Sequence, residues 1–291
     1  MTVENLIMLP GPSSLADFER GSILFIGNAT VLIRYGPFTV LTDPTFIHRH
    51  EQVSIGYGMH STRLTNPAVE IWDLPPLDLI VLSHFHGDHF DQVAEHELDK
   101  SLPIVTTVEA AKELDKRGFA KSHALASWST VEFRKAGGSL RVTSMPGRHG
   151  PPLADLVLPE VMGSMLEFGS PSGGRFCLYI TGDTVVIDDL KEIPRRYPRI
   201  DAALLHLGGT RVLGIMVTMD AVQGVETMRI VHPEVAIPIH YNDYDVFKSP
   251  LEDFRREVKA AGFEHRVRYL KHGETFEFST AGEAAGDTAV H

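Results

Sequence analysis

The stretch His84-Phe85-His86-Gly87-Asp88-His89, one residue after the apolar run Leu79-Ile80-Val81-Leu82, decides how the rest of the chain is read. The run is aliphatic with no polar alternation, which reads as a strand buried on both faces, as in layered α/β folds. The polar motif therefore sits where such a strand ends. If the chain stays extended there, His84 and His86 project to one side, because strand side chains repeat every second residue. One ion could bind both. Gly87 allows a sharp turn, after which Asp88 and His89 open the amphipathic helix suggested by Phe90, Val93, Ala94 and Leu98. That leaves room for a second ion. Two histidines at this spacing are commonly surface or core residues, but four donors in six residues form an imidazole and carboxylate set that suits zinc, manganese or iron.

The chain of 291 residues is long enough for one large domain or two small ones, and its hydrophobic (43%) and charged (22%) fractions are those of a globular protein. A net charge of -11 argues against a nucleic-acid partner, since affinity for phosphate chains needs clustered lysine and arginine. Cys177 is the only cysteine, so an intrachain disulfide is excluded, and its apolar surroundings in sequence suit a buried, inert thiol. Neither a secretory signal nor a membrane-spanning stretch is legible, so the expectation is a soluble cytoplasmic protein of open oligomeric state.

Residues 1–20 mix Pro10, Gly11, Pro12 and Ser13 with a short apolar patch and read as an arm or lid. Residues 21–279 read as the functional domain. Residues 280–291 are rich in alanine and glycine and read as a disordered tail. The domain opens with an antiparallel meander, Ile23-Leu24-Phe25-Ile26, Thr30-Val31-Leu32-Ile33 and Phe38-Thr39-Val40-Leu41, which ends in Thr42-Asp43-Pro44. Residues 45–76 have little periodicity and suggest a functional loop over a pocket, with His48 and His50 as solvated loop residues. Past the central motif come a strand at Ile104-Val105, a helix over 108–116 and further strands up to Ser144. The turn Pro146-Gly147-Arg148-His149-Gly150 can present His149 to a pocket. Strands over 164–168 and 176–180 lead to Thr181-Gly182-Asp183-Thr184, where Asp183 is a ligand or simply the cap of a helix over 188–193. The strand Ala202-Ala203-Leu204-Leu205 runs into His206. Ala221, Val225 and Met228 share one helix face, and Val235-Ala236-Ile237-Pro238-Ile239 delivers His240 and Tyr241. A helix over 250–259 and a strand through Phe278 close the domain. Two sheets face to face with helices outside would send these loops to one edge.

The order Thr-Asp-Pro at 42–44, the motif at 84–89, Gly-Arg-His at 147–149, Thr-Gly-Asp-Thr at 181–184 and Ile-Pro-Ile-His at 237–240 resembles the metallo-β-lactamase superfamily over 21–278. The segments Phe25-Ile26-Gly27-Asn28-Ala29-Thr30, Leu41-Thr42-Asp43-Pro44 and Pro238-Ile239-His240-Tyr241 are similar to its branch of ascorbate-6-phosphate lactonases and N-acyl-phosphatidylethanolamine-hydrolysing phospholipases D. Asn28 departs from that branch, which usually has histidine there. The resemblance implies an αββα sandwich with two divalent ions. His84, His86 and His149 would hold the first, Asp88, His89 and His240 the second, and Asp183 would bridge them. Asp43 would orient a ligand imidazole from behind. A hydroxide between the ions would attack a phosphodiester, lactone or related ester of an anionic small molecule or lipid. Asp88 could orient the nucleophile. His206 could protonate the leaving group or be a structural histidine. Arg211 could grip an anion or be a solvated loop arginine, and Tyr241 could touch substrate or only pack. Other readings of the same scaffold are a di-iron redox protein, a nuclease, or a non-catalytic metal-binding protein.

Overall fold

The computed structural model describes residues 3–10, 16–56, 58–151, 158–212 and 214–279, so the expected tail at 280–291 lies outside the described residues. In chain order the elements begin with β1 (Val3–Met8), β2 (Arg20–Gly27), β3 (Thr30–Tyr35), β4 (Phe38–Thr42), β5 (Gln52–Ser54), β6 (His60–Thr62) and β7 (Leu79–Val81). There follow α1 (Gln92–Glu97), β8 (Ile104–Thr106), α2 (Val108–Lys116), β9 (Ser122–Ala124), β10 (Thr130–Lys135), β11 (Gly138–Pro146), β12 (Met162–Gly169) and β13 (Arg175–Ile180). The chain continues through α3 (Ile193–Arg196), β14 (Ala202–His206), β15 (Arg211–Val212), β16 (Ile215–Met216), α4 (Ala221–Val231), β17 (Val235–Ile239), α5 (Leu251–Ala261) and β18 (Thr275–Ser279).

Two seven-stranded sheets carry the fold, one ordered β18-β2-β3-β4-β7-β8-β9 and the other β1-β10-β11-β12-β13-β14-β17. Side-chain parity explains why their central strands are apolar throughout. Leu79 and Val81 of β7 join the core between the sheets, whereas Ile80 and the adjoining Leu82 pack with Ala94 of α1 and Leu114 of α2. Ala202 and Leu204 of β14 likewise face the inter-sheet core, and Ala203 and Leu205 pack toward Val225 of α4 and Phe254 of α5. Strands sandwiched in this way have no solvent face and need no polar alternation. The four layers are the αββα arrangement expected from sequence.

Strand direction places the site. β4 and β7 are parallel, as are β13, β14 and β17, and β11 runs with them because it is antiparallel to β12, which is antiparallel to β13. The candidate ligands all follow the C-terminal ends of these strands. Val3–Met8, within the segment read as an arm, pairs in parallel with β10 at a sheet edge. The helix after the central motif begins later than expected. Asp88 and His89 lie in the preceding turn, and Asp91 is the N-cap, its carboxylate accepting the Ala94 amide at 2.8 Å and the Ile47 amide at 2.7 Å. A carboxylate tied to two chain segments sets the helix start there. The expected helix at 188–193 is a 3-10 turn at Asp188–Glu192 that runs into the four-residue α3. Among the described residues no helix is long and apolar enough to cross a membrane.

Candidate metal centre

The loops that follow these strands are built with unusual backbones. Asn28, Asp43 and His240 each come directly after a strand with φ of 54°, 34° and 58°, a left-handed conformation that is strained for non-glycine residues. The turn ends strand pairing and redirects the side chain. Gly87 meets a different demand: its amide donates to the Ser54 carbonyl at 3.0 Å, and a Cβ there would lie 2.6 Å from that same oxygen. The close approach of β5 thus requires glycine in the ligand motif.

Two donor sets result at the cleft, with a third group of Asp43, His89 and His206 behind them. His84, His86 and His149 converge as one, and Asp88, His89, Asp183 and His240 as the other, with the donor atoms of each set within 4.8 Å of one another. His84 Nε2 faces His86 Nδ1 at 3.1 Å, and His89 Nε2 faces His240 Nε2 at the same separation. Asp183 lies 3.5 Å from His89 Nε2 through Oδ2 and 3.5 Å from His240 Nδ1 through Oδ1. Asp88 Oδ1, Asp183 Oδ1 and His240 Nδ1 are buried with no hydrogen-bond partner. Unpartnered buried carboxylate oxygens are costly, and a cation beside Asp88 and Asp183 would satisfy them. The residues present fit a metal ion.

Hydrogen bonding behind the rings sets their tautomers. Ser83 Oγ donates to Asp43 Oδ1 at 2.8 Å, which uses its only proton; its lone pairs face His84 Nδ1 at 3.0 Å and His89 Nδ1 at 3.2 Å. Both imidazoles must then donate from Nδ1, leaving Nε2 for the centre. His149 Nδ1 donates to the Val217 carbonyl at 2.6 Å, so its Nε2 is free as well. Thr218 Oγ1 donates to Asp183 Oδ2 at 2.9 Å and holds that carboxylate in place.

The electrostatics differ between the sets. Burial, followed by the charges of neighbouring histidines, holds His84 well below the usual imidazole range. Burial likewise brings His86 down to about 4 and lowers His149. For His89 burial opposes charge, but the Asp183 and Asp88 carboxylates outweigh it and raise the pKa well above the ordinary value. Burial would raise Asp183, yet His240 and His89 hold it well below the carboxylate range. Asp43 is also lowered, burial being outweighed by His206 and His89.

The seven expected ligands are brought together, with Asp43 behind them. His206 is fully buried, its Nε2 3.7 Å from Asp43 Oδ2 and its Nδ1 3.1 Å from Thr181 Oγ1, so both nitrogens face protein groups rather than the cleft. Tyr241 sends its hydroxyl to the Leu270 carbonyl at 3.3 Å and packs against Phe25, away from the donors. Arg211 is exposed, with Nη1 3.3 Å from the Gly214 carbonyl, and it borders a depression shared with Lys248 and Arg256; Val212, its neighbour in β15, lines the metal cleft instead. His48 pairs with Glu70 at 2.9 Å on the surface.

Sequence reasoning missed several supporting residues. Asn28 accepts the His240 amide at 2.8 Å, donates its side-chain amide to the Asp88 carbonyl at 2.5 Å and gives its own N–H to Asp243 at 2.9 Å, tying the loops of the second set together. Its position in a turn between two strands was a signal. Ser83, a hydroxyl between a buried strand and a ligand, was another. The apolar cleft residues Ile55, Met59 and Val246 left none, because aliphatic loop residues are ordinary.

Comparison with known proteins places this geometry in context. The family model described as Beta-lactamase superfamily domain matches residues 39–241. A UPF0173 metal-dependent hydrolase of Archaeoglobus fulgidus is 31% identical over 207 residues, covering 69% of this chain and 82% of that protein. One of Thermus thermophilus is 30% identical over 254 residues, covering 87% and 96%. Among solved structures, an isothiocyanate hydrolase from Delia radicum gut bacteria superposes with a TM-score of 0.73 at 22% identity, over 89% of this chain and 99% of that one.

Proposed function

This chain belongs to the β-lactamase superfamily, and from that premise we propose that it is a metal-dependent hydrolase working with two divalent ions. The observation that carries the reading is the convergence of two donor sets, in the second of which the carboxylate oxygens Asp88 Oδ1 and Asp183 Oδ1 are buried without partners. His84, His86 and His149 would hold one ion and Asp88, His89 and His240 the other, with Asp183 available beside them. Zinc suits the donors best, and manganese or iron is compatible. Bound there, the ions supply an acidified water as nucleophile and a Lewis acid for the oxygen of the bond under attack.

The chain's own residues then have distinct tasks. Asp88 lines the cleft and is placed to take a hydrogen bond from the nucleophile and aim it. Asp43 acts through Ser83, holding the His84 and His89 rings at the angle and tautomer that coordination needs. His206, with Nδ1 on Thr181 Oγ1 and Nε2 3.7 Å from Asp43 Oδ2, supports Asp43 electrostatically. The bond cleaved is that of a phosphodiester, lactone or related ester. Protein reconstituted with zinc or manganese is to be assayed on an aryl phosphodiester and a small lactone, with Asp183→Asn as the blank. Turnover lost in the variant supports the reading, and a variant with full metal content and full turnover overturns it.

A further inference from the structure

Asp43 supports its ligands from behind through Ser83, and the fold places another buried acid behind the remaining ligand loops. Asp243 is fully buried. Its Oδ2 accepts the Asn28 amide at 2.9 Å; Asn28 in turn accepts the His240 amide at 2.8 Å and gives its side-chain amide to the Asp88 carbonyl. Asn28 thus bridges the backbones of two ligands on different loops, and Asp243 fixes the bridge. Asp243 is itself anchored on its far side. Thr65 Oγ1 donates to Oδ1, His272 Nε2 lies 3.2 Å from the same oxygen, and the Leu64 amide donates to the Asp243 carbonyl at 2.8 Å. Arg63, also fully buried, stands beside the same turn: its Nη1 donates to Thr45 Oγ1 at 3.1 Å and to the Tyr244 hydroxyl at 3.2 Å, and its Nη2 lies 3.0 Å from where a Cβ on Gly27 would sit. Burial would raise the pKa of Asp243, but the His272 hydrogen bond and the charges of His272 and Arg63 hold it below the ordinary carboxylate value.

From this arrangement we propose that Asp243 is a positioning residue of the second donor set, fixing the Asp88 and His240 loops through Asn28 and leaving the first set untouched. The inference rests on the two-ion reading above. Asn28, His240 and Asn242 all lie in left-handed turns, with φ of 54°, 58° and 59°. Such backbones persist only where their surroundings hold them, and a hydrogen bond from an amide to an ionised carboxylate is stronger than one between neutral groups. The first set is anchored elsewhere, His84 on Ser83 and His149 on the Val217 carbonyl. Among the described residues the hydrogen bonds of Asn28 and Asp243 reach none of His84, His86 and His149. Removing the Asp243 charge should therefore loosen one half of the centre, whereas a residue needed only for folding would weaken both alike.

The test places Asp243→Asn in the full-length, zinc-loaded protein and in two single-site backgrounds, His86→Ala to keep the second-set ion and His240→Ala to keep the first. Zinc affinity is read by chelator competition. Asp243→Asn should weaken the second-set ion about 10- to 100-fold and the first-set ion by less than about threefold. In the cobalt-loaded proteins, visible absorption follows ligand geometry, so the substitution should shift the spectrum only in the His86→Ala background. Thr65→Val keeps the acid and removes its hydroxyl anchor; it should weaken the second-set ion alone, by about three- to tenfold, and it carries the same comparison if Asp243→Asn does not fold. Equal weakening of both ions, or no weakening of the second-set ion, in a folded variant would overturn the inference while leaving the two-ion reading intact. Unsubstituted protein that holds no zinc would instead sink that reading, and the role of Asp243 with it.

Discussion

The two donor sets of the candidate metal centre are built in opposite ways. His84, His86 and His149 bring only imidazoles, kept uncharged by burial, so their hold on an ion rests on lone pairs alone. Asp88, His89, Asp183 and His240 bring two carboxylates held ionised and one imidazole, His89, pushed toward its charged form by those acids. The difference teaches that one scaffold edge can build unequal sites from neighbouring residues. The acidic half should bind first and tightest, because Coulomb attraction adds to coordination.

The strongest way to break the comparison is Asp183→Asn. Loss of the acid proposed to serve both sets should cost about 10³-fold in turnover and lower total metal content measured by elemental analysis. Unequal behaviour is sharpened by His86→Ala against His240→Ala. The first should release one ion and leave the tighter acidic half loaded, and the second should leave only the weaker half loaded; equal chelator resistance of the retained ion in the two variants would refute the asymmetry. Ser83→Ala acts on both halves at once, since Ser83 touches His84 and His89. A loss of roughly 10- to 100-fold in metal affinity is expected, read by chelator competition.

Acidity separates the halves more gently. After chelation, His86 remains neutral in the folded chain down to about 4, against an ordinary value of 6.5. Between those values the unfolded chain binds the extra proton, so acid favours unfolding in that window, and His84 and His149 act in the same direction. His89, with its raised pKa, is protonated in both states below 6.5 and adds little slope in that window; its stabilisation is lost only as pH rises above 6.5. The urea midpoint of chelated protein should therefore fall as pH is lowered from 6.5 toward 4, and His86→Ala should flatten the fall; a steeper fall in the variant would contradict the assignment. The smallest effect is expected from Arg211→Ala, an exposed residue outside both halves, with turnover changed by less than about twofold.

Much of this was legible in the chain. Unbroken runs such as Leu79-Ile80-Val81-Leu82 announce strands covered on both faces, and donors at their ends announce a centre at one edge. The boundary of α1 was not legible, because Asp91 caps it while also holding Ile47, a partner distant in sequence. The segment 45–76 was read as a loop over a pocket and does place Ile55 and Met59 in the cleft wall, but the β5–β6 hairpin within it was not legible.

The sequence by itself determined the layered architecture and the donor cluster at 84–89, since periodicity and donor clustering are local properties of the chain, and the more distant candidate ligands were named through the family resemblance. Only the tertiary structure decided what stands behind and around those ligands. Ser83 serves two rings, Asn28 ties the Asp88 and His240 loops, His206 turns to Asp43, and Arg211 and Tyr241 face away from the donors. These are outcomes of side-chain direction and of contacts between distant segments, which no local pattern encodes.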